Sequence, residues 1–323
     1  MNPKQIILTL LIMLCPIGMA AQSTITRNKP KRTVTKPKTA AKPKAKPKAK
    51  PKPAPRRNST EHSGNTSSTN STSSTSCTSN INSTSGTSST GSLSAELNKL
   101  INNMVYVSSG TFTMGATSEQ GSDAFDDEKP THSVTLSSYY ICKYEVTQAL
   151  WRTVMGSNPS NFKGDNLPVV WVSWNDCQTF INRLNSYTGR NFRLPTEAEW
   201  EFAARGGNYS RHYKYSGSNY ISDVAWYGDN SGKRTHPVGT KQANELGLFD
   251  MSGNVWEWCS DWYDWYSSYS QSNPTGPNSE SNRVFRGGSW DFVSRGCRSS
   301  YRDGGLPGFS RDDLGLRLVL SQL

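Results

Sequence analysis

The segment from Gly247 to Asp261 constrains the fold of this chain more strongly than any other stretch of it. Its sequence, Gly-Leu-Phe-Asp-Met-Ser-Gly-Asn-Val-Trp-Glu-Trp-Cys-Ser-Asp, places Glu257 between two tryptophans, shortly after a Gly-Asn turn. The alternation from Val255 to Cys259 predicts a strand, and the large apolar area of the tryptophans predicts that this strand lies deep in the core. A buried carboxylate is costly unless a cation, a metal or several N–H groups accompany it. Glu257 therefore needs a partner.

Two kinds of partner meet this requirement. Asp250, the carbonyls of the turn and Glu257 form an all-oxygen set, which is the type of ligand that calcium accepts. Alternatively, Glu257 caps a backbone turn or pairs with an arginine. The spacing taken alone favours this second interpretation, because it is not the spacing of an EF-hand loop.

The positive charge of the chain is concentrated in its first 95 residues. These carry 15 of the 36 lysines and arginines and a single acid, Glu61, whereas residues 96–323 carry 21 basic and 24 acidic residues and all ten tryptophans. The basic character therefore belongs to a leader, and we predict no nucleic-acid binding from it. Residues 96–323 are long enough for one domain with a sizeable core.

Residues 1–21 have the pattern of a signal peptide. Lys4 precedes an apolar run over 6–15, and small residues follow near Ala20 and Ala21. The run is too short to span a membrane, and no other segment is a transmembrane candidate. We therefore expect export, to a periplasmic, cell-surface or extracellular location. Lipidation at Cys15 is less favoured, because Leu14 is a poor match to the small residue expected before a lipidated cysteine.

Two low-complexity tracts separate the signal peptide from the domain. Residues 22–57 are rich in lysine and proline, which predicts a disordered, extended spacer. This tract either adheres to an anionic surface or serves only as a spacer. Residues 58–95 consist largely of serine, threonine, asparagine and glycine, which cannot build a core and predict a flexible linker.

Within 96–323 the sequence predicts a few helices against short strands, an α+β pattern without βα alternation. The predicted helices are Ser94–Asn103, a segment from Thr147 to Met155, Cys177–Tyr187 capped by Asn175 or Asp176, and one that starts in a Thr196/Glu199 capping box and ends at Gly206–Gly207. The predicted strands lie within Met104–Gly115, Val134–Tyr144, Arg283–Trp290 and Leu314–Leu320. The acidic stretch Gly121–Pro130 is expected to be a solvated loop, with metal binding as a less favoured alternative.

Four cysteines lie in the domain: Cys142, Cys177, Cys259 and Cys297. In an exported protein they would form two disulfides, with three possible pairings. Buried free thiols are the competing interpretation. The chain has no Cys-x-x-Cys motif and no Cys/His metal pattern.

Seven ordered motifs carry a resemblance to a known family. They are Gly110–Gly115, Tyr144–Thr147, Pro168–Asp176, Arg193–Glu201, Gly247–Trp262, Arg286–Trp290 and Gly315–Leu318. Together they resemble the formylglycine-generating enzymes, or sulfatase-modifying factors, over essentially all of 104–323. The resemblance implies a single irregular domain of C-type-lectin-like fold, with little regular secondary structure.

The resemblance also implies an activity, which is oxidation of a sulfatase cysteine to formylglycine with dioxygen and a copper ion held by two cysteines. In the enzymes this pair follows the Gly-Gly-Ser motif, but here 291–296 contain no cysteine. Cys297 matches a disulfide-linked cysteine whose partner position is Ala204, and the second family disulfide has Ile181 and Leu318 at its positions. Soft thiolates select copper, so we do not expect a copper site. Whether the chain is an enzyme stays open.

Other family positions carry over. Asp250, Gly253, Val255 and Glu257 match a structural calcium site built largely of backbone carbonyls, which strengthens the calcium interpretation. A second family calcium site, in the region of 222–226, is not recognisable. Glu145 and Ser289, with Trp290 beside them, match the family's substrate cleft and mark where a ligand would bind.

These features favour an exported, non-catalytic or divergent member that binds a peptide or a glycan in the cleft. A functional formylglycine-generating oxidase is the first alternative. A structural component of an envelope or secretion assembly is the second.

Overall fold

The computed structural model describes residues 87–321, with side chains from Ser94 onward. The predictions for the signal peptide, for the Lys/Pro-rich tract and for most of the Ser/Thr-rich linker lie outside these residues. Within them, no helix is both long and apolar enough to cross a membrane. Helix α1 begins at Thr87, inside the segment predicted as linker, and ends at Asn102.

Short helices and strands alternate with long irregular segments, as the α+β prediction requires. The remaining helices are α2 (Gln148–Met155), α3 (Trp174–Thr188), α4 (Glu197–Ala204) and α5 (Ile221–Val224). The strands are β1 (Met104–Val107), β2 (Gly110–Met114), β3 (His132–Leu136), β4 (Tyr139–Cys142), β5 (Phe192–Arg193), β6 (Trp256–Trp262), β7 (Gln271–Ser272), β8 (Arg283–Arg286), β9 (Arg302–Gly305), β10 (Leu314–Leu316) and β11 (Val319–Leu320).

The strands form three small sheets. The first has the order β1-β4-β11-β5, the second β10-β6-β8-β9, and the third β2-β3-β7. In the second sheet β6 pairs antiparallel with β8 and parallel with β10, so that Glu257 lies opposite Arg286 on one side and Gly315 on the other. The motif strand β6 therefore has a partner on each side, which accounts for its burial.

The core is built on β6, as the tryptophans of this strand predict. Trp256 and Trp258 have no exposed surface, and Trp200 of α4 is equally buried. Phe285 of β8 packs edge-to-face on both β6 tryptophans, with ring centroids 5.2 and 5.3 Å apart. Such aromatic pairs contribute about 0.5–1.5 kcal/mol beyond the area that they bury.

Two helix starts agree with the sequence prediction and one does not. The Thr147 hydroxyl accepts from the Leu150 amide, and Thr196 and Glu199 form the predicted reciprocal capping box of α4. For α3, however, neither Asn175 nor Asp176 is the cap. Ser173 caps this helix, and Asp176 is the third residue, whose carboxylate accepts from the Ser173 amide at 2.9 Å. A Ser-x-x-Asp box placed two to three residues earlier explains the error.

Three predicted strands are shorter than expected. Val134–Tyr144 is divided between β3 and β4, which belong to different sheets, and Leu314–Leu320 is likewise divided between β10 and β11. The strand predicted from Arg283 to Trp290 ends at Arg286, because Gly287 and Gly288 follow with φ of 100° and 76°. Residues with these angles leave the extended conformation.

The acidic segment 121–130 is not simply a solvated loop. Glu128 is fully buried, and its carboxylate accepts two hydrogen bonds from Arg298, at 2.5 and 2.8 Å. Asp123 instead pairs with Lys214, and Asp127 accepts from the Tyr263 hydroxyl. In the described part of the chain, no group of three or more Asp, Glu, His or Cys side chains is arranged to hold a metal. Sequence reasoning missed Glu128 because its partner lies 170 residues away.

The four domain cysteines are free and buried, so the disulfide interpretation is wrong for this structure. Burial raises the pKa of Cys142 and raises it well above the ordinary value for Cys177 and Cys259. The thiols are therefore neutral side chains of the core.

Candidate functional site

Glu257 has an arginine as its partner, one of the alternatives that the sequence left open. Arg317, also fully buried, donates from Nη2 to Glu257 Oε1 at 2.6 Å and from Nε to Oε2 at 3.0 Å. The indole N–H of Trp200 donates to Oε2 at 2.7 Å. Arg317 also donates to the carbonyl oxygens of Cys142 and Phe249, at 2.9 and 2.8 Å. Its charge is thus surrounded by acceptors from three different segments.

Two further carboxylates lie close enough to influence this pair. Glu145 accepts from the side-chain amide of Asn254 at 2.6 Å and from the backbone amide of Val255 at 3.1 Å. Burial, then the neighbouring charges of Asp250 and Glu257, hold the pKa of Glu145 well above its ordinary value. Burial also raises the pKa of Asp250 to about 6. Two further buried carboxyl groups therefore lie near the Glu257–Arg317 pair, and burial favours their neutral, protonated forms.

The turn 250–254 is tightly constrained. Asp250, Gly253 and Asn254 all have left-handed backbone conformations, with φ of 58°, 77° and 60°. A Cβ atom on Gly253 would lie 2.3 Å from the Trp226 carbonyl oxygen, so only glycine fits there. Asp250 Oδ2 accepts from the Gly239 amide at 2.7 Å, whereas Oδ1 is buried and has no hydrogen-bond partner in the described structure.

The predicted cleft residues Glu145, Ser289 and Trp290 are all buried. Asn254 connects two of them, because its side chain donates to Glu145 and its carbonyl accepts from the Trp290 amide at 2.8 Å. The Ser289 hydroxyl donates to Asp313 at 2.7 Å. Glu145 lines a cavity of about 250 Å³ beside α1, but neither Ser289 nor Trp290 lines it. A ligand role for these three residues stays a prediction.

An exposed surface lies just outside these buried residues. Trp171 is 40% exposed although Val170 and Val172 on either side are buried. Its backbone is left-handed, with φ of 60°, and its amide donates to the Arg311 carbonyl at 2.8 Å. A bulky residue in this conformation is a true outlier, worth about 1–3 kcal/mol of strain.

Arg311 connects Trp171 to the buried side chains. Its guanidinium donates twice to Asp313, at 2.7 Å each, and Asp313 in turn accepts from Ser289. The ring of Phe309, which is partly exposed, lies 5.9 Å from the same guanidinium. We call Trp171, Phe309 and Arg311 the Trp171 platform. Sequence reasoning missed it, because a run of apolar residues such as 169–172 does not show which residue the backbone turns outward.

Cys297 is the cysteine nearest to Ser289 in the sequence, and the structure brings it to the same segment. A Cβ atom on Gly288 would lie 2.6 Å from its Sγ. Burial raises the pKa of this thiol to about 12. Copper bound by two cysteines requires two thiolates, and the residues of this segment provide one neutral, fully buried thiol. They do not fit a copper site.

Comparison with known proteins identifies the family. The model of the sulfatase-modifying factor enzyme 1-like domain matches residues 90–322. The chain belongs to this family. The sequence resemblance and the C-type-lectin-like α+β fold that it implied are thereby confirmed.

Relatives in this family carry different names. The chaperone protein LppX of Paenibacillus barcinonensis is 37% identical over 254 residues, which cover 62% of this chain and 87% of that protein. The formylglycine-generating enzyme of Streptomyces coelicolor is 36% identical over 190 residues, covering 53% and 58% of the two chains. The solved structure of Treponema denticola variable protein 1 superposes with a TM-score of 0.63 at 33% identity, covering 68% of this chain and 95% of that one. Membership in this family thus establishes the fold but not the activity, which depends on the residues of the site.

Proposed function

We propose that this domain is a non-catalytic, exported member of the family that binds a peptide segment on the Trp171 platform. The exposed tryptophan in a strained backbone conformation carries the proposal. The signal-peptide pattern of residues 1–21 supports export.

The composition of the platform favours a protein ligand. Tryptophan and arginine are enriched among the residues that dominate the energy of protein interfaces. Here Asp313 holds the Arg311 guanidinium by two hydrogen bonds, so little side-chain entropy remains to be lost on binding. Trp171 is held by its buried valine neighbours and by its bond to Arg311. The Arg311 side chain and the backbone of Trp171 are therefore fixed before a ligand arrives.

The burial of the thiols supports the absence of oxidase chemistry. An attacking or metal-binding cysteine must be a thiolate in an accessible position. Cys142, Cys177, Cys259 and Cys297 are all buried, and burial raises the pKa of each.

One experiment with two arms tests the proposed function. In the first, the full-length chain is incubated with copper, dioxygen and a Cys-x-Pro-x-Arg peptide, and mass spectrometry is expected to show the cysteine unchanged. In the second, dodecapeptides selected from a random library on the full-length chain are expected to bind Trp171→Ala at least about tenfold more weakly. Tyr187→Ala, which changes an exposed aromatic residue on α3, is the matched control.

Two results would contradict the proposal. Aldehyde formation on the peptide cysteine would show a working oxidase. Selected peptides that bind Trp171→Ala and the wild type equally would place the binding surface elsewhere.

We further propose that calcium binds at Asp250, with the carbonyls of Gly253 and Val255 and the Glu257 carboxylate as the other ligands. The buried, unpartnered Asp250 Oδ1 supports this proposal, because calcium prefers oxygen ligands. Arg317 and Trp200 already donate to Glu257, so calcium would share that carboxylate with them.

Thermal unfolding tests the calcium proposal. Calcium at about 100 times its dissociation constant is expected to stabilise the wild type by about 2.7 kcal/mol relative to chelator. Asp250→Asn keeps the size of the side chain and is expected to show no such shift. If calcium and chelator give the same Tm for the wild type, the site does not bind calcium.

A further inference from the structure

A second open cavity lies at the far end of β6, apart from the residues discussed above. It has a volume of about 540 Å³ and is enclosed by the end of β6, the first turn of α4 and the segment 264–277. None of its lining residues belongs to the Trp171 platform or to the turn 250–254. This volume is within the range of small-ligand sites in proteins.

The floor of the cavity contains a carboxylate oxygen without a partner. Asp261 is only 4% exposed, and its Oδ2 accepts from the Glu197 amide at 3.0 Å and from the Ser260 hydroxyl at 2.8 Å. No donor in the described residues reaches Oδ1. A Cβ atom on Gly276 would lie 3.4 Å from Oδ1, so this oxygen faces the segment that closes the cavity. This oxygen is not fully enclosed by protein, so it is open to a donor group that enters the cavity.

Aromatic side chains form the walls. Tyr266 is fixed, because its hydroxyl donates to Glu197 at 3.1 Å and its ring lies 4.1 Å from the Arg302 guanidinium. Trp265 is different, since it is 67% exposed although it lines the cavity. It offers a flat apolar face at the rim, on which the apolar face of a ligand can stack.

Among the acidic side chains that line the cavity, Glu197 is paired with an arginine, whereas Asp261 and Asp264 have no ion-pair partner in the described residues. Arg302 donates twice to Glu197, at 2.7 and 2.6 Å, and Arg193 pairs with Glu199 on the same helix. Arg283 lies over the Trp262 ring at 3.4 Å. Burial, followed by the charge of Glu197, raises the pKa of Asp261 to about 7. The lining therefore offers carboxylate oxygens that can accept hydrogen bonds from the hydroxyl groups of a ligand.

We propose that this cavity binds a neutral sugar unit of a glycan. One apolar ring face would stack on Trp265, and a hydroxyl would donate to Asp261 Oδ1. The neutral side chains of Ser267, Gln271 and Thr275 line the same cavity and supply further hydroxyl and amide groups. The combination of a flat apolar wall with uncharged hydrogen-bonding groups matches a pyranose ring, which has apolar faces and a polar edge.

Calorimetry on the full-length chain with a panel of uncharged trisaccharides, built from glucose, mannose, galactose or N-acetylglucosamine, tests this proposal. At least one is expected to bind, and Trp265→Ala is expected to weaken its binding at least about tenfold. Asp261→Asn, which keeps the acceptor for the Glu197 amide, is expected to weaken it about fivefold, because a hydroxyl bonds more strongly to a carboxylate than to an amide oxygen. Tyr269→Ala, an exposed aromatic change outside the cavity lining, should leave binding unchanged.

Trp171→Ala should also leave sugar binding unchanged, so the two sites are tested separately. Three results would overturn the proposal. One is no binding by any trisaccharide at about 10 mM, well above a dissociation constant of about 1 mM. The second is binding that Trp265→Ala does not weaken. The third is binding of trilysine, and of no sugar, in a Trp265-dependent manner, which would show that the ligand is cationic.

Discussion

Replacement of Arg317 with methionine is expected to lower the free energy of unfolding by about 3–5 kcal/mol. Arg317 is fully buried and donates to Glu257 and to the carbonyl oxygens of Cys142 and Phe249. Methionine fills similar space but leaves these acceptors unpaired, and Glu257 becomes a buried carboxylate without its cation. The loss is therefore dominated by desolvation of the remaining charge, and not by the attraction within the pair.

Urea unfolding followed by tryptophan fluorescence measures this effect. Arg152→Met is the matched control, because Arg152 pairs with Asp165 on the surface, where both side chains are largely exposed. That change is expected to cost less than about 1 kcal/mol. The double variant Arg317→Met/Glu257→Gln should recover part of the loss, since it removes the uncompensated charge. A loss for Arg317→Met no larger than that of Arg152→Met would refute this account.

Asp261→Asn is expected to flatten the dependence of stability on pH. Burial raises the pKa of Asp261 from 3.8 to about 7. Between these values the folded chain keeps a proton that the unfolded chain has lost, so the wild type loses stability as the pH rises from about 4 to about 7 and then levels off. Asparagine stays neutral and avoids this loss. The free energy of unfolding of the variant minus that of the wild type should be larger at pH 8 than at pH 4, by up to about 4 kcal/mol.

Urea unfolding of both proteins at pH 4, 5.5, 7 and 8 measures this difference, which isolates Asp261 from the other acids. Glu128 and Glu197, which are ion-paired, have lowered pKa values, so their contribution to the stability of both proteins is lost as the pH falls. This contribution changes the stability of each protein but not the difference between them. A constant difference between Asp261→Asn and the wild type would contradict this account, because it would mean that Asp261 has the same pKa in the folded and the unfolded chain.

Local elements were predictable where a residue pattern acts through its own neighbours. The capping box of Thr196 and Glu199 is complete within four residues, and the alternation around Trp256 and Trp258 is enough to predict a buried strand. The cap of α3 was misplaced because Ser173 and Asp176 form an equally local box, whose cap lies two or three residues before the predicted one. The competing signals lay only two or three residues apart.

The partners of buried charges were not predictable in the same way. The sequence showed that Glu257 needs one, but it did not distinguish calcium from arginine, since Arg317 lies 60 residues further along the chain. For Glu128 the partner Arg298 is still more distant in sequence. Two charged groups pair when they are close in space in the folded chain, and their separation in sequence gives little information about that distance.

The sequence by itself therefore determined the family, the α+β class, the burial of the β6 tryptophans and the lack of a cysteine pair after Gly-Gly-Ser, because each depends on residue type and short spacing. Only the tertiary structure decided that the thiols are free, that Glu145, Ser289 and Trp290 are buried, and that Trp171 and Trp265 are exposed. An apolar side chain can be buried in the core or exposed to solvent even when its neighbours in the sequence are the same. Its exposure is decided by backbone angles and by segments that meet only when the chain folds.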